Sequence, residues 1–199
     1  MYYLFIIIVI LIILNANSNK IKGNKGERYV NSVLKEIPDS KVLRDIVLKS
    51  EFGTSQIDNI LISPKGIFVI ETKNYSGWIF GNENSKYWTQ TIYKKKSKFL
   101  NPIRQNYGHI KAIEGYLPNR KDILHSLIVF SNRCEFKKLE VKTPVVKMRD
   151  LKWYLNNYRS NVFLTQADIN YYNMVLDKNN ITDKDIRKNH VKNIRKAKI

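Results

Sequence analysis

Cysteine occurs once in the 199 residues, at Cys134. A single cysteine makes no internal disulfide. With no CxxC pair, and with His109, His125 and His190 far apart, the chain has no zinc-ligand spacing either. Cys134 therefore reads as an inert strand-end residue. Acidic side chains are also few: 17 Asp and Glu stand against 35 Lys and Arg, for a formal net charge of +18. An excess this large favours polyanionic partners, either nucleic acid or an anionic membrane face. A composition rich in Lys, Asn and Ile, as in AT-rich genomes, gives part of the same excess without any partner. Internal repeats and low-complexity tracts are absent. What is present is a core: 43% hydrophobic and 12% aromatic residues suit one ordinary domain with extensions and exclude wholesale disorder.

Residues 2–14 (YYLFIIIVILIIL) are unbroken apolar or aromatic side chains. As a helix they span about 20 Å, short of the ~30 Å hydrocarbon core, and residues 15–18 bring the segment near spanning length. A secretory leader normally carries Lys or Arg ahead of its apolar run; here Lys20, Lys22, Lys25 and Arg28 all follow it. That asymmetry predicts a single-pass cell-membrane anchor over 1–18, a linker over 19–25 and a body in the cytoplasm. A cleaved leader on a secreted protein is the alternative.

Helical spacing of Val30, Val33, Leu34 and Ile37 predicts a helix over 26–37, stopped by Pro38. A strand follows over 41–49. Residues 56–63 (QIDNILIS) and 66–73 (GIFVIETK) are two strands joined by Ser63-Pro64-Lys65-Gly66, whose Pro and Gly specify a tight turn. A short strand is expected around Trp78–Phe80 and another over 86–94. Asn101-Pro102 is a good helix start, and the helix runs to about 117 with Ile103, Tyr107, Ile110, Ile113 and Leu117 on one stripe. Strands over 123–130 and 141–148 come next, the latter marked as an edge by Pro144. Helices over 150–158 and 165–176 and a basic tail over 181–199 complete the chain. Helices alternating with strands predict an α/β fold.

Two carboxylates interrupt the apolar hairpin. Asp58 sits between Ile57 and Ile60, while Glu71 and Lys73 end the run 67–70 and share one strand face. Charges on buried strands need partners or a cation. Paired oxygen ligands suit Mg²⁺ or Mn²⁺, and an adjacent lysine can orient or deprotonate a water or steady charge on a phosphate. An ordinary ion pair at a strand end produces the same E-x-K pattern, so both readings stand on the spacing alone.

The stretches GNKGERYVNSVL, QIDNILISPKGIFVIETKNYSGWIFG, the tryptophan of KYWTQ, and FLNPIRQNYGHIKAI occur in this order over about residues 23–117. Together they resemble the nuclease-related domain (NERD) family of the PD-(D/E)xK restriction-endonuclease-like superfamily. Ile57 stands where the superfamily places a proline, as is usual for this family. The resemblance implies a restriction-endonuclease-like core over 26–180, a central mixed sheet flanked by helices, and metal-dependent hydrolysis of DNA with Mg²⁺ or Mn²⁺ and no small-molecule cofactor. It assigns Asp58, Glu71 and the Thr72 carbonyl to the metal and Lys73 to the attacking water. It matches Glu27 to a helix glutamate that supports the metal or its waters, and Gln105 to a polar residue facing the site. Gln56, two residues before Asp58, is an outside candidate.

Each role has a plainer counterpart. Glu27 is also a first-turn acid favoured by the helix dipole, and Gln105 also fits a helix surface. Lys94, Lys95 and Lys96 read either as phosphate contacts or as a solvated strand end, and Arg104 is a further phosphate candidate. Trp78 and Trp88 are expected in the core rather than as base-stacking platforms. The competing function is a non-catalytic module that keeps the nuclease fold. It would bind nucleic acid or membrane through Arg187, Lys188, Lys192, Arg195, Lys196 and Lys198.

Overall fold

The computed structural model describes residues 25–51 and 53–189. The expected anchor over 1–18, nearly all of the linker and the last ten residues of the tail lie outside the described residues. Among the described residues no helix is long and apolar enough to cross a membrane.

Residues 25–34 form helix α1. β1 (Lys41–Ser50), β2 (Gly53–Ser63) and β3 (Gly66–Lys73) follow as an antiparallel meander. β4 (Gly77–Asn82), β5 (Tyr87–Ile92) and β6 (Lys95–Leu100) form a second meander, followed by helix α2 (Pro102–Glu114). Then come β7 (Leu124–Phe130), β8 (Cys134–Glu140), β9 (Val145–Lys147), α3 (Leu151–Asn157) and α4 (Gln166–Lys178).

The strands make two sheets. The larger has the order β1-β2-β3-β7-β9, and the smaller β6-β5-β4-β8. Each is mixed: β7 lies parallel to β3, and β8 parallel to β4. The α/β class read from the sequence is therefore present, with mixed sheets flanked by helices.

Both faces of the larger sheet are covered. One face packs Ile60, Ile62, Ile67 and Val69 against Ala112 and Ile113 of α2 and Ile169 and Leu176 of α4. The other packs Leu61, Phe68 and Ile70 against Val30 and Leu34 of α1 and Leu151 and Leu155 of α3. Two-sided burial explains why these strands read as near-continuous apolar runs. Gly66 has a φ of +116° in the β2–β3 turn, and a Cβ there would lie 2.8 Å from the Ile123 carbonyl.

The smaller sheet departs from the sequence expectation. The strand expected over 86–94 stops at Ile92, where Tyr93 turns with a φ of +52°, and 95–100 returns as a separate strand. β8 was not expected at all. Both missed strands are lysine-rich and exposed on most positions, so no alternating apolar signal marks them. The strand expected over 141–148 shrinks to three residues at the sheet edge, after Pro144. Tyr107, placed on the apolar stripe of α2 by its spacing, is instead exposed.

Candidate active site

The β2–β3 register pairs Asn59 with Ile70, and the ladder ends there. One step past the ladder come Asp58 on β2 and Glu71 on β3, close enough that the charge of Glu71 acts on Asp58. Freed from the ladder, the Thr72 amide donates to Asp58 Oδ2 at 2.8 Å. On its other side β3 stays locked to β7, with Glu71 opposite Ile128 and Lys73 opposite Phe130. The two carboxylates are thus carried by strands fixed over their preceding residues.

Glu71 is almost fully buried. Lys73 Nζ donates to its Oε1, and His109 Nε2 lies 3.1 Å from its Oε2. His109, on α2, is anchored from behind by Ser55 Oγ at 2.7 Å from Nδ1. A proton on Nε2 is the tautomer that can donate to Glu71, which leaves Nδ1 of the neutral ring free to accept from Ser55.

These contacts divide the two acids electrostatically. Burial is the strongest influence on Glu71 and would raise its pKa. The Lys73 ammonium and the His109 hydrogen bond outweigh it and hold the carboxyl at about 2. Asp58 goes the other way. Burial, then the charge of Glu71, push it well above the ordinary carboxylate range, against the pull of Lys73 and the Thr72 amide. Burial would lower the pKa of Lys73, but Glu71 more than compensates and raises it, so Lys73 is an ammonium at neutral pH. Glu27, on α1, is raised by burial against the opposing charge of Arg44, and it feels both Glu71 and Lys73. Tyr75 is raised by burial too, with Lys73 and Glu71 acting on it in opposite senses.

Asp58, Glu71, Lys73 and Glu27 therefore share one electrostatic neighbourhood. Gln105 lies one helical turn before His109 on the same face of α2. Its side chain makes no hydrogen bond among the described residues. Gln56 is drawn aside: its amide donates to Asp45 Oδ1 at 2.6 Å. Lys95 and Lys96 are exposed on β6, Lys94 in the turn before it and Arg104 on the first turn of α2. No hydrogen bond or ion pair joins any of these four to Asp58, Glu71 or Lys73.

His109 and Ser55 are the site residues that sequence reasoning missed. The available signal was the spacing of Gln105 and His109, four apart on one helix face. The asparagines of α2 were also under-read. Asn101 caps the Ile103 amide at 2.9 Å while its Nδ2 donates to the carbonyls of Asn82, Glu83 and Ser85. Asn106 Nδ2 donates to the Val69 carbonyl at 2.8 Å, pinning α2 to β3 two residues before Glu71.

A family model described as "Nuclease-related domain" matches residues 22–131, a span holding every residue of this site. The chain belongs to the nuclease-related domain family. An uncharacterized protein of Bacillus anthracis is 40% identical over 179 residues, which cover 87% of this chain and 84% of that relative. No solved structure matches at a significant level. Membership brings a nuclease-related fold, and the site lies inside the matched domain at the end of its central hairpin.

The fit of a divalent cation to this domain rests on its oxygens. Glu71 is buried and Asp58 half-buried, and burial together with the Glu71 charge makes Asp58 bind a proton tightly. A cation between them would take over that proton's role. Among the described residues no group of three or more His, Cys, Asp or Glu could hold a metal. Two carboxylates and a carbonyl suit Mg²⁺, which keeps most of its waters, better than an ion needing an all-protein cage.

Proposed function

We propose that this protein is a metal-dependent nuclease that hydrolyses DNA phosphodiester bonds, tethered by residues 1–18 to the cytoplasmic face of the cell membrane. The observation that carries the reading is the electrostatic neighbourhood of Asp58 and Glu71 at the end of the β2–β3 ladder, with Lys73 bonded to Glu71. Asp58, Glu71 and the Thr72 carbonyl would hold Mg²⁺ or Mn²⁺. When bound, that ion supplies Lewis-acid stabilisation of phosphoryl charge and a more acidic water.

The chain's own residues divide the remaining work. Lys73, held as an ammonium by Glu71, orients the attacking water or stabilises negative charge on the phosphate rather than accepting a proton. His109 fixes the Glu71 carboxylate from the opposite side to Lys73. Glu27, with its raised pKa, is suited to receiving a proton from a water at the site. Hydrolysis adds water across the P–O3′ bond and leaves a 5′-phosphate and a 3′-hydroxyl. The excess of basic residues supports a polyanionic substrate.

A second reading is favoured by one specific observation. Glu71 is already ion-paired with Lys73 and hydrogen-bonded to His109, and no three-residue metal cluster exists among the described residues. A module that keeps the fold only to bind nucleic acid or membrane has the same features. The two separate in one assay: the full chain in mild detergent with plasmid and single-stranded DNA, in Mg²⁺, Mn²⁺ or EDTA, beside Asp58→Ala. The nuclease reading expects metal-dependent cutting, lost in the variant while binding persists. Binding without cutting by the wild type replaces it with the second reading.

A further inference from the structure

The two faces of the smaller sheet have different surroundings. Its inner rows place Trp88 opposite Phe99, and Ile79 opposite Phe136, against Phe130 of β7 and Ile103 of α2. The alternate rows face outward, because opposed residues share a face and neighbours along a strand alternate. One outward row runs Lys96, Thr91 and Trp78 across β6, β5 and β4 and ends on Glu135 of β8, with Thr91 itself covered by its neighbours. The next runs Lys98, Thr89, Phe80 and ends on Lys138 of β8.

Trp78 is 49% exposed on this face. Lys137 Nζ lies 5.0 Å from its ring centroid. The lysines are not equivalent. Lys137 is paired with Glu135 at 2.9 Å and Lys138 with Glu140 at 3.4 Å. Lys96 and Lys98 have no ion-pair partner among the described residues, so the positive charge is uncompensated along β6. Edge-strand lysines also block sheet-to-sheet pairing, which accounts for the charges but not for an exposed tryptophan beside them. Trp78 follows Lys73 by five residues, a chain length of at most roughly 18 Å.

We propose that this outer face is a platform for single-stranded nucleic acid, with a base stacking on Trp78 and phosphates held by Lys96 and Lys98. Exposed aromatics stack any base, and unpaired lysines follow the backbone without reading sequence. The identity of the polyanion rests on the nuclease reading; the surface itself does not.

The test uses the full chain carrying Trp153→Phe, so that Trp78 and the buried Trp88 are the remaining tryptophans. Oligo-dT is titrated in EDTA at several salt concentrations, and tryptophan fluorescence and anisotropy are followed. Quenching of Trp78 is expected. Trp78→Ala weakens binding about 10-fold or more, and Trp78→Phe restores most of it. The double variant Lys96→Ala/Lys98→Ala lowers the salt slope by roughly 1.4.

Absence of quenching, unchanged affinity in Trp78→Ala, or duplex binding that ignores Trp78 overturns the proposal. A Trp78 blue shift with phosphatidylserine vesicles and no response to oligo-dT overturns it too, and assigns the face to a membrane. EDTA prevents turnover, so failure here leaves the cleavage result untouched. Lost cleavage with intact oligo-dT binding instead fails the nuclease reading alone.

Discussion

The two sheets of this molecule are built to different rules. The larger is covered on both faces, and its central strands β2, β3 and β7 carry their charges at one end only, where Asp58, Glu71 and Lys73 meet. The smaller is buried on one face and bears exposed lysines and Trp78 on the other. A charge inside the larger sheet is therefore costly and locally compensated, whereas a charge on the smaller sheet is cheap and free to meet a partner. Chemistry is best supported where surrounding structure fixes each side chain, and adaptable binding where it does not.

Substitutions can break or sharpen this contrast. The largest effect is expected at the buried ion pair. Lys73→Met leaves Glu71 buried beside Asp58 with His109 as its remaining hydrogen-bond partner, and removing one partner of such a pair costs about 3–5 kcal/mol. Urea unfolding measures it.

Trp88→Ala should cost a similar ~3–5 kcal/mol, because Trp88 is 1% exposed and fills the inner face of the smaller sheet. It would show that this sheet too has a core, on one side.

Asp58→Asn has a smaller effect of opposite sign. The folded pKa of Asp58 is raised, so the folded state holds its proton more tightly than the unfolded chain does. The stability this lends is complete at low pH and is lost as pH rises above the ordinary carboxylate value near 3.8. In EDTA at pH 7, Asp58→Asn should therefore raise the melting temperature, by about 2–4 °C per kcal/mol relieved. Below pH 3.8 the two proteins should converge.

Smallest of all, Trp78→Ala should change stability by no more than about 0.5 kcal/mol. A cost like that of Trp88→Ala would place Trp78 in a core and remove the contrast between the faces.

Legibility followed the same division. The hairpin carrying the site was readable because its strands are apolar throughout and its turn chemistry is specific, so Asp58 and Glu71 stood out as interruptions. β6 and β8 were not readable, because half-exposed strands rich in lysine resemble loops. Trp78 and Trp88 looked alike in the sequence, and the expectation that both lie in the core fails for Trp78. Strand register decides between them, turning Trp88 towards Phe99 and Trp78 away from Ile79. His109 was invisible as a partner of Glu71 because the two stand 38 positions apart and meet only in the folded chain. The helix expected over 26–37 ends at 34, three residues before its last apolar position, although Pro38 had marked the stop.

The most direct measurement is single-turnover cleavage of DNA in Mg²⁺ or Mn²⁺ by the wild type and Lys73→Ala, with binding followed in parallel. The account expects metal-dependent products with 5′-phosphate ends from the wild type, and none from Lys73→Ala despite unchanged binding. Cutting by Lys73→Ala at the wild-type rate would contradict it, because the cleavage would then come from somewhere other than the Asp58–Glu71–Lys73 site.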